Sequence, residues 1–323
     1  MPDLASVYDV ASVAKLLPHP LRTAIEGLSQ QSQKSIEEIR LRALRPLEVI
    51  GIRDYARPLV AIEHLRHVMS AVTGSSYYAV EAQLRYGYLT LPGGHRVGIA
   101  GRAVIDERDQ IVTIRDIASI HIRVARQIVN CANHVAPLLL DDWGQLQSVL
   151  LVGPPLCGKT TVLRELARLI GNGELHPKLS VRTVSIVDER SEIAACHEGI
   201  PQFDVGQSTD VLDGCPKAQG MYMMLRSMAP QVMITDEIGS ISDVKAVLDI
   251  ARAGVRFIGT VHAKSLEDLR QRPALRTLLT HGAIDRFIFL SRRVGPATVE
   301  RVYDRQLREV KQIGSDSVAN RWS

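Results

Sequence analysis

The chain has 323 residues, of which 46% are hydrophobic and 23% charged, a composition typical of folded globular proteins. This length favours two domains over a single core. The formal net charge is only +4 and aromatic residues make up 4% of the chain. Surfaces that bind nucleic acid combine strong basic patches with base-stacking rings, so we expect no nucleic-acid partner.

The cysteines and apolar runs limit the cellular setting. Cys131, Cys157, Cys196 and Cys215 form neither a C-x-x-C pair nor a zinc-ligand spacing, which favours reduced thiols in a cytosolic protein. No apolar run approaches the roughly 20 residues needed to span a bilayer. The start of the chain lacks the basic-then-apolar pattern of a signal peptide. We expect a cytoplasmic protein that docks at a membrane through protein partners.

Residues 1–125 predict a smaller N-terminal α+β domain. Apolar residues at helical spacing are interrupted by Pro18-His19-Pro20, which predicts two helices meeting at a corner. Further elements are strands at 39–42 and 47–50, helices at 61–73 and 77–85, a hairpin around Pro92-Gly93-Gly94, and strands at 111–114 and 119–124. The hairpin glycines also resemble a second nucleotide loop, but no helix follows them. Residues 126–147, with a short helix at 135–140, are predicted to link this domain to 148–323.

A phosphate-binding motif stands in the middle of the chain. The stretch GPPLCGKTT fits the P-loop pattern G-x-x-x-x-G-K-[ST]. An apolar run before it predicts a buried strand, and a helical pattern follows it with Arg164, Glu165 and Arg168 on its other faces. A chance glycine-rich turn is the alternative, which this strand–loop–helix order disfavours. The predicted nucleotide-binding residues are Gly153, Pro154, Pro155, Leu156, Cys157, Gly158, Lys159, Thr160 and Thr161.

Each residue type in this loop has a physical reason. Backbone N–H groups must turn inward to wrap a phosphate, and side chains at Gly153 and Gly158 would obstruct them. The following helix adds unpaired N–H groups and a partial positive charge. The Lys159 ammonium can reach the β and γ phosphates, and the Thr160 hydroxyl can join the ligands of Mg²⁺. The motif therefore predicts ATP and Mg²⁺ as cofactors.

From residue 148 onward, apolar runs alternate with helical patterns, which is typical of an α/β layered domain. Strands are predicted at 149–152, 181–187, 231–235, 255–260 and 286–290. In open parallel sheets the ligand lies beyond the carboxyl ends of the strands, so the polar residues there should converge on the phosphates. The chain between Lys159 and Asp236 leaves room for an intervening strand, predicted at 181–187. An extra central strand favours a motor-type ATPase.

The strand at 231–235 is followed directly by Asp236 and Glu237. We expect Asp236 to hold Mg²⁺ and Glu237 to orient or deprotonate the attacking water, opposite Lys159. An acidic cap for the helix that begins near Ser242 is the alternative interpretation.

Two other strand ends supply further candidates. Asp188, Glu189 and Arg190 follow one strand and could assist the base or the water shell of Mg²⁺, or form a surface charge cluster. Thr260 and His262 follow another and could donate to the γ phosphate, although a lone histidine is often a satisfied core residue.

Arg226 lies on an otherwise apolar helix before Asp236. A buried arginine needs a partner, so we expect it to pair with a phosphate, a carboxylate of the site or a neighbouring subunit. A salt bridge at the rim is an equal alternative.

The motifs GPPLCGKTT, IVDERSEIA, MITDEIG and FIGTVHA, with the stretch GGHRVGIAGRAV, resemble the stage III sporulation protein AA family. That family is related to type II and type IV secretion ATPases. The resemblance covers about residues 37–290. It implies a RecA-like P-loop core, a hexameric ring, and an ATPase that powers assembly of, or transport through, a secretion-like channel between mother cell and forespore. Membrane-protein components of that channel would be its partners.

The resemblance also assigns residues, with departures. The acid-rich region and the histidine segment of secretion ATPases correspond to Asp188-Glu189 and His262. Secretion ATPases show Gly-Glu where this chain has Asp236-Glu237, and their four-cysteine metal module is missing. A ring implies an arginine supplied across a subunit boundary, for which Arg190 and Arg226 are candidates. A nucleic-acid-dependent motor and a nucleotide-dependent assembly switch with little turnover are the alternative functions.

Overall fold

The structure is a computed structural model that describes residues 10–74, 84, 87–177 and 179–312. The chain divides into two compact units. Unit 1 is Met1–Gln127 with Ala195–Phe203, and unit 2 is Ile128–Ala194 with Asp204–Ser323. A short segment from the middle of the chain thus belongs to unit 1, although no change in composition indicates it. The domain boundaries drawn from the sequence stay predictions.

Unit 1 is built on an antiparallel sheet. Its described helices are α1 (Val10–Ala14), α2 (His19–Glu26), α3 (Gln30–Ser35) and α4 (Ile62–Val72). Its strands are β1 (Glu38–Arg42), β2 (Glu48–Ile50), β3 (Tyr88–Thr90), β4 (Arg96–Ile105) and β5 (Ile111–Arg123), in the order β2-β1-β5-β4-β3. Leu21, Ile39, Leu65 and Ile120 belong to its fully buried core. Apolar side chains of both helices and strands therefore share one core.

Local signals in unit 1 are reproduced with small differences. Pro18 caps α2, so the predicted helical corner is confirmed. A 3₁₀ turn at Pro92–Gly94 joins β3 to β4, with Gly93 at φ 81°, which confirms the hairpin and rules out a nucleotide loop there. The two strands predicted at 111–114 and 119–124 form the single strand β5. The helix predicted at 77–85 lies largely outside the described residues.

Unit 2 contains a mainly parallel sheet. Its strands are β6 (Val149–Gly153), β7 (Val184–Asp188), β8 (Thr209–Asp213), β9 (Val232–Thr235), β10 (Arg256–His262), β11 (Arg286–Ser291), β12 (Thr298–Asp304) and β13 (Glu309–Gln312). Its helices are α5 (Lys159–Gly171), α6 (Lys217–Ser227), α7 (Ile241–Arg252), α8 (Leu266–Gln271) and α9 (Pro273–His281). The strand order is β13-β12-β11-β6-β10-β9-β7-β8, and β11 through β8 run parallel.

The sheet order places the strands that carry the polar candidates side by side. β10 lies between β6 and β9, so it occupies the central position that the sequence suggested for 181–187. β7 lies on the far side of β9 instead. Chain order alone does not fix sheet order, because a crossover connection can skip a neighbour. The predicted helix at 135–140 is a 3₁₀ turn, Ala136–Leu139, and β8, β12 and β13 were not predicted.

Helix α5 is buried on nearly all sides, contrary to its amphipathic sequence pattern. Arg164, Glu165 and Arg168 are all buried. Arg168 forms an ion pair with Glu165 at 2.9 Å, while Arg164 Nε donates to the carbonyl of Ile193 at 2.6 Å. These polar side chains therefore bind neighbouring parts of unit 2 rather than water. Helical periodicity cannot reveal this, because the covering segments are distant in sequence.

Candidate functional site

The loop after β6 has the backbone geometry that a phosphate cradle requires. Gly158 adopts φ 98°, a left-handed conformation that favours glycine. A Cβ on Gly153 would lie 2.5 Å from the carbonyl oxygen of Leu290, so no side chain fits there. The N–H of Ala297 donates to the carbonyl of Cys157 at 2.7 Å, which ties the loop to the connection between β11 and β12. The conformation of the P-loop is thus held by contacts with the end of β11 and with the connection that follows it.

Lys159 is a buried ammonium group held by neutral partners. Its Nζ donates to the carbonyls of Gly153 and Pro154 at 3.0 and 2.7 Å. It also lies 3.1 Å from Nδ1 of His262 and 3.8 Å from Sγ of Cys157. Within the described ranges no carboxylate pairs with it. A buried cation without a counter-charge is costly, so an anionic ligand fits beside it.

Thr160 and Asp236 meet at the mouth of the same loop. The Thr160 hydroxyl donates to Oδ2 of Asp236 at 2.5 Å, and the Thr260 hydroxyl donates to Oδ1. Asp236 thereby presents its carboxylate directly against the first turn of α5. A hydroxyl and a carboxylate side by side are hard oxygen ligands of the kind that Mg²⁺ prefers.

Glu237 has an unusual backbone conformation. Its φ of 54° lies in the left-handed region, which is rare for a residue with a side chain. Its N–H donates to Oδ1 of Asp236 at 3.0 Å and to the hydroxyl of Thr260 at 2.9 Å. Its carbonyl accepts from Nζ of Lys217 at 2.9 Å. Backbone strain of this kind is concentrated at functional sites, and here it aims the carboxylate toward His262.

The carboxylate of Glu237 accepts contacts from a histidine and an arginine. His262 Nε2 is 2.7 Å from Oε1, and Nη1 of Arg190 is 2.9 Å from Oε2. Burial alone would raise the pKa of Glu237, but the hydrogen bond from His262 and the charges of Arg190 and Lys217 outweigh it and lower the pKa. Glu237 is therefore ionised near neutral pH, as a group that orients or deprotonates water must be.

The two acidic residues at the end of β7, Asp188 and Glu189, make different contacts. Asp188 is buried and accepts hydrogen bonds from the N–H groups of Glu192, Ile193 and Ala194 at 2.9, 2.8 and 2.9 Å. Burial raises the pKa of Asp188, while these amides oppose the rise. Its carboxylate thus organises the loop 189–194 rather than pointing outward. Glu189 is 3.0 Å from Nζ of Lys217.

Arg226 is exposed near the C-terminal end of α6, at the opposite end of that helix from Lys217. Arg226 is therefore not buried as its apolar neighbours in the sequence suggested, and no hydrogen bond or ion pair joins it to the described residues. Its pairing with a phosphate or a neighbouring subunit stays a prediction. The apolar neighbours in its sequence pack on other faces of α6, because Met221 and Met224 are buried whereas Met223 is exposed.

Sequence reasoning missed two features. Lys217 is 9% exposed and bridges the strand ends that carry Glu189 and Glu237. A lysine in the first turn of a helix opposes the helix dipole, and this signal could have singled it out. The second feature is the 291–297 connection against the P-loop, where His134 Nε2 lies 2.8 Å from the carbonyl oxygen of Ala297. No local pattern announces that contact.

Comparisons with known proteins extend these observations. The model of the family described as "Sporulation stage III, protein AA" matches residues 10–310. The chain is 45% identical over 296 residues to the "Stage III sporulation protein AA" of Bacillus subtilis (strain 168), covering 91% of this chain and 94% of that protein. Among the described residues, no helix has the length and apolar composition required to cross a bilayer.

Solved structures support the fold. The ATPase DotB of Legionella pneumophila is similar with a TM-score of 0.55 and 14% identity, covering 84% of this chain and 77% of that one. The pilus retraction motor PilT, solved with bound ADP, is similar with a TM-score of 0.55 and 15% identity, covering 80% and 76%. These likenesses confirm the predicted α/β, RecA-like P-loop fold.

Proposed function

Because the chain belongs to the sporulation stage III, protein AA family, we propose that it is a Mg²⁺-dependent ATPase. We propose further that hydrolysis powers assembly of, or transport through, a secretion-like channel between mother cell and forespore. The name of its Bacillus subtilis relative places that protein in stage III of sporulation. The similarity in fold to DotB and PilT suggests a secretion-type motor.

One observation carries the enzymatic part of the proposal. Lys159, the Asp236-Glu237 pair and His262 come from three separate segments of the chain and meet at the carboxyl ends of neighbouring parallel strands. Gly153 and His262 are direct partners in the β6–β10 register, and β9 lies next to β10. This edge is where open α/β sheets bind their ligands. Chance would not bring a P-loop lysine, an acid pair and a histidine together there.

The residues divide the chemistry as follows. Lys159 and the inward N–H groups of the P-loop bind the β and γ phosphates. Thr160 and Asp236 would hold Mg²⁺, and the ion would supply positive charge beside the phosphates. Glu237 orients or deprotonates the attacking water, while Thr260 and His262 stand beside it. Nucleotide phosphates would also compete with His262 for the Lys159 ammonium.

The same proposal includes a ring. The resemblance to secretion ATPases implies a hexameric ring, and we propose that this chain forms one and docks on membrane-protein components of the channel. Arg190 and Arg226 are the two candidates for an arginine acting across a subunit boundary. We propose Arg226 for that role, because it is exposed whereas Arg190 pairs with Glu237 of its own chain.

The central test compares the wild-type protein with Glu237→Gln. Phosphate release from ATP and Mg²⁺ is measured at rising protein concentration, and nucleotide affinity is measured separately by calorimetry. We expect Glu237→Gln to bind ATP with unchanged affinity and to lose turnover by about 10²- to 10⁴-fold, as expected for loss of a general base. Equal turnover of both proteins would rule out this assignment.

The biological part of the proposal needs a separate test. We expect sporulating cells that carry Glu237→Gln at normal protein levels to arrest at stage III of sporulation, with the variant still recovered in membrane fractions beside its channel partners. Normal spore yield from such cells would contradict a powering role.

A nucleotide-dependent switch is the second candidate function, and one contact favours it. Arg190 and His262 each bind one oxygen of the Glu237 carboxylate, and these contacts lower its pKa and hence its strength as a base toward water. A switch would bind ATP and assemble with little phosphate release at any protein concentration. A motor would release phosphate faster as assembly proceeds.

A further inference from the structure

Lys217 makes two contacts that the proposed chemistry does not use. Its Nζ donates to the backbone carbonyl of Glu237 at 2.9 Å and lies 3.0 Å from Oε2 of Glu189. These partners follow β9 and β7, which are adjacent in the sheet. One ammonium group thus links two strand ends at the candidate site.

The contact with Glu237 falls where the backbone is strained. Glu237 has a φ of 54°, in the left-handed region. A residue with a side chain rarely adopts this conformation, so contacts with the surrounding structure must hold it there. Asp236 and Thr260 hold the N–H of Glu237, whereas Lys217 holds its carbonyl. If the carbonyl were released, the backbone could relax toward an ordinary conformation. The carboxylate would then swing away from His262.

A purely stabilising role does not explain this placement. Lys217 is the first residue of α6, where the positive end of the helix dipole disfavours a cation, and the first turn of α6 carries no acidic residue. The side chain of Lys217 is only 10% exposed, while that of its acidic partner Glu189 is 40% exposed. Burying a lysine is costly, and a partner open to water repays little of that cost.

We propose that Lys217 is a positioning residue that holds the carbonyl of Glu237 and thereby keeps its carboxylate aimed at His262, which in turn contacts Lys159. The inference rests on the proposed function, in which Glu237 prepares the attacking water. Lys217 itself touches neither phosphate nor water in this scheme. Its contribution should appear in turnover and not in nucleotide affinity.

The experiment uses the full chain and three variants. Lys217→Met keeps the length of the side chain but removes the donor, Lys217→Arg keeps a donor, and Lys245→Met alters an exposed lysine on α7 as the matched control. We expect Lys217→Met to lower kcat by about 10- to 100-fold, the scale of a displaced catalytic group, with unchanged Kd for ATP. Lys217→Arg should recover part of kcat, and Lys245→Met should match wild type.

Crystal structures of the wild-type protein and Lys217→Met supply a readout that does not depend on hydrolysis. We expect φ of Glu237 to leave the left-handed region in the variant while Gly158 keeps its conformation. Unchanged kcat with unchanged φ, or joint loss of kcat and ATP affinity, would overturn the role of Lys217. If the wild-type protein hydrolyses no ATP, the proposed function fails, and the φ of Glu237 still decides whether Lys217 holds that peptide.

Discussion

His262 joins the two ends of the candidate site, since its Nε2 lies 2.7 Å from Oε1 of Glu237 while its Nδ1 lies 3.1 Å from Nζ of Lys159. A lysine ammonium can only donate, so Nδ1 accepts and Nε2 carries the proton that it donates to Glu237. The imidazole of His262 therefore contacts both the Lys159 ammonium and the Glu237 carboxylate. Phosphate binding at Lys159 would be felt at Glu237 through one side chain.

We expect His262→Ala to lower kcat by about 10- to 100-fold, because Glu237 loses the hydrogen bond that orients it. ATP affinity should change little, since the P-loop amides and Lys159 remain. Steady-state phosphate release and calorimetry check the two parts. His281→Ala, which removes an exposed histidine on α9, serves as the control. Wild-type turnover by His262→Ala would show that the imidazole of His262 does not contribute to hydrolysis.

Lys159→Ala tests the P-loop itself. The buried ammonium has only neutral partners in the described structure, and a triphosphate would supply the missing charge. A hydrogen bond to a charged group contributes about 1.5–3 kcal/mol, so we expect ATP affinity to fall by about 10- to 100-fold. Calorimetry with ATP and Mg²⁺ measures this directly. Undiminished affinity in a folded variant would remove the nucleotide site from this loop.

Arg190 lies 2.9 Å from Glu237 of its own chain, which bears on whether it acts across a subunit boundary. A residue that acts within its own subunit gives a linear loss of activity when inactive subunits are mixed in. We therefore expect the ATPase activity of mixtures with wild type to fall in proportion to the fraction of Arg190→Ala subunits. Arg226 is exposed and lies at the opposite end of α6 from Lys217. If it acts on a neighbouring subunit, the ATPase activity of mixtures should fall more steeply than linearly as the fraction of Arg226→Ala subunits rises. A steep curve for Arg190→Ala would contradict its assignment to the same subunit.

The sequence predicted those parts of the candidate site that consist of short motifs of consecutive residues. The P-loop, the acid pair after β9 and the histidine after β10 are each carried by short motifs at strand ends, so their convergence followed from the parallel-sheet rule. The outcome for Asp188 was different. Its residue type fitted a catalytic acid, yet three backbone amides bind it because the chain turns back immediately afterwards.

Long-range packing accounts for what the sequence concealed. Arg164, Glu165 and Arg168 look like a solvated helix face, but segments far away in the chain cover them. The inclusion of Ala195–Phe203 in unit 1 leaves no trace in composition. Arg226 shows the converse error, because apolar neighbours in the sequence do not imply that a residue between them is buried. The hydrophobic periodicity of a helix shows which residues share a face, but not whether a distant segment of the chain covers that face.

Asp213 predicts a pH dependence of stability. It pairs in register with Asp188, accepts a hydrogen bond from Ser191, and has a buried Oδ1 for which the described residues provide no donor. Burial raises the pKa of Asp213 from 3.8 to about 6. The folded chain therefore keeps this proton where the unfolded chain has released it. Its contribution to stability is complete below pH 3.8 and is lost as the pH rises through about 6.

Asp213→Asn should remove this loss, because the amide carries no charge to desolvate. Since Asp213 is partly exposed, we expect the variant to gain about 1–2 kcal/mol over wild type at pH 8 and nothing at pH 4. Urea midpoints of both proteins at the two pH values measure the difference. Asp210→Asn, at an exposed position on the same strand β8, controls for the general removal of charge. A gain of equal size at both pH values would mean that packing, and not titration of Asp213, is responsible.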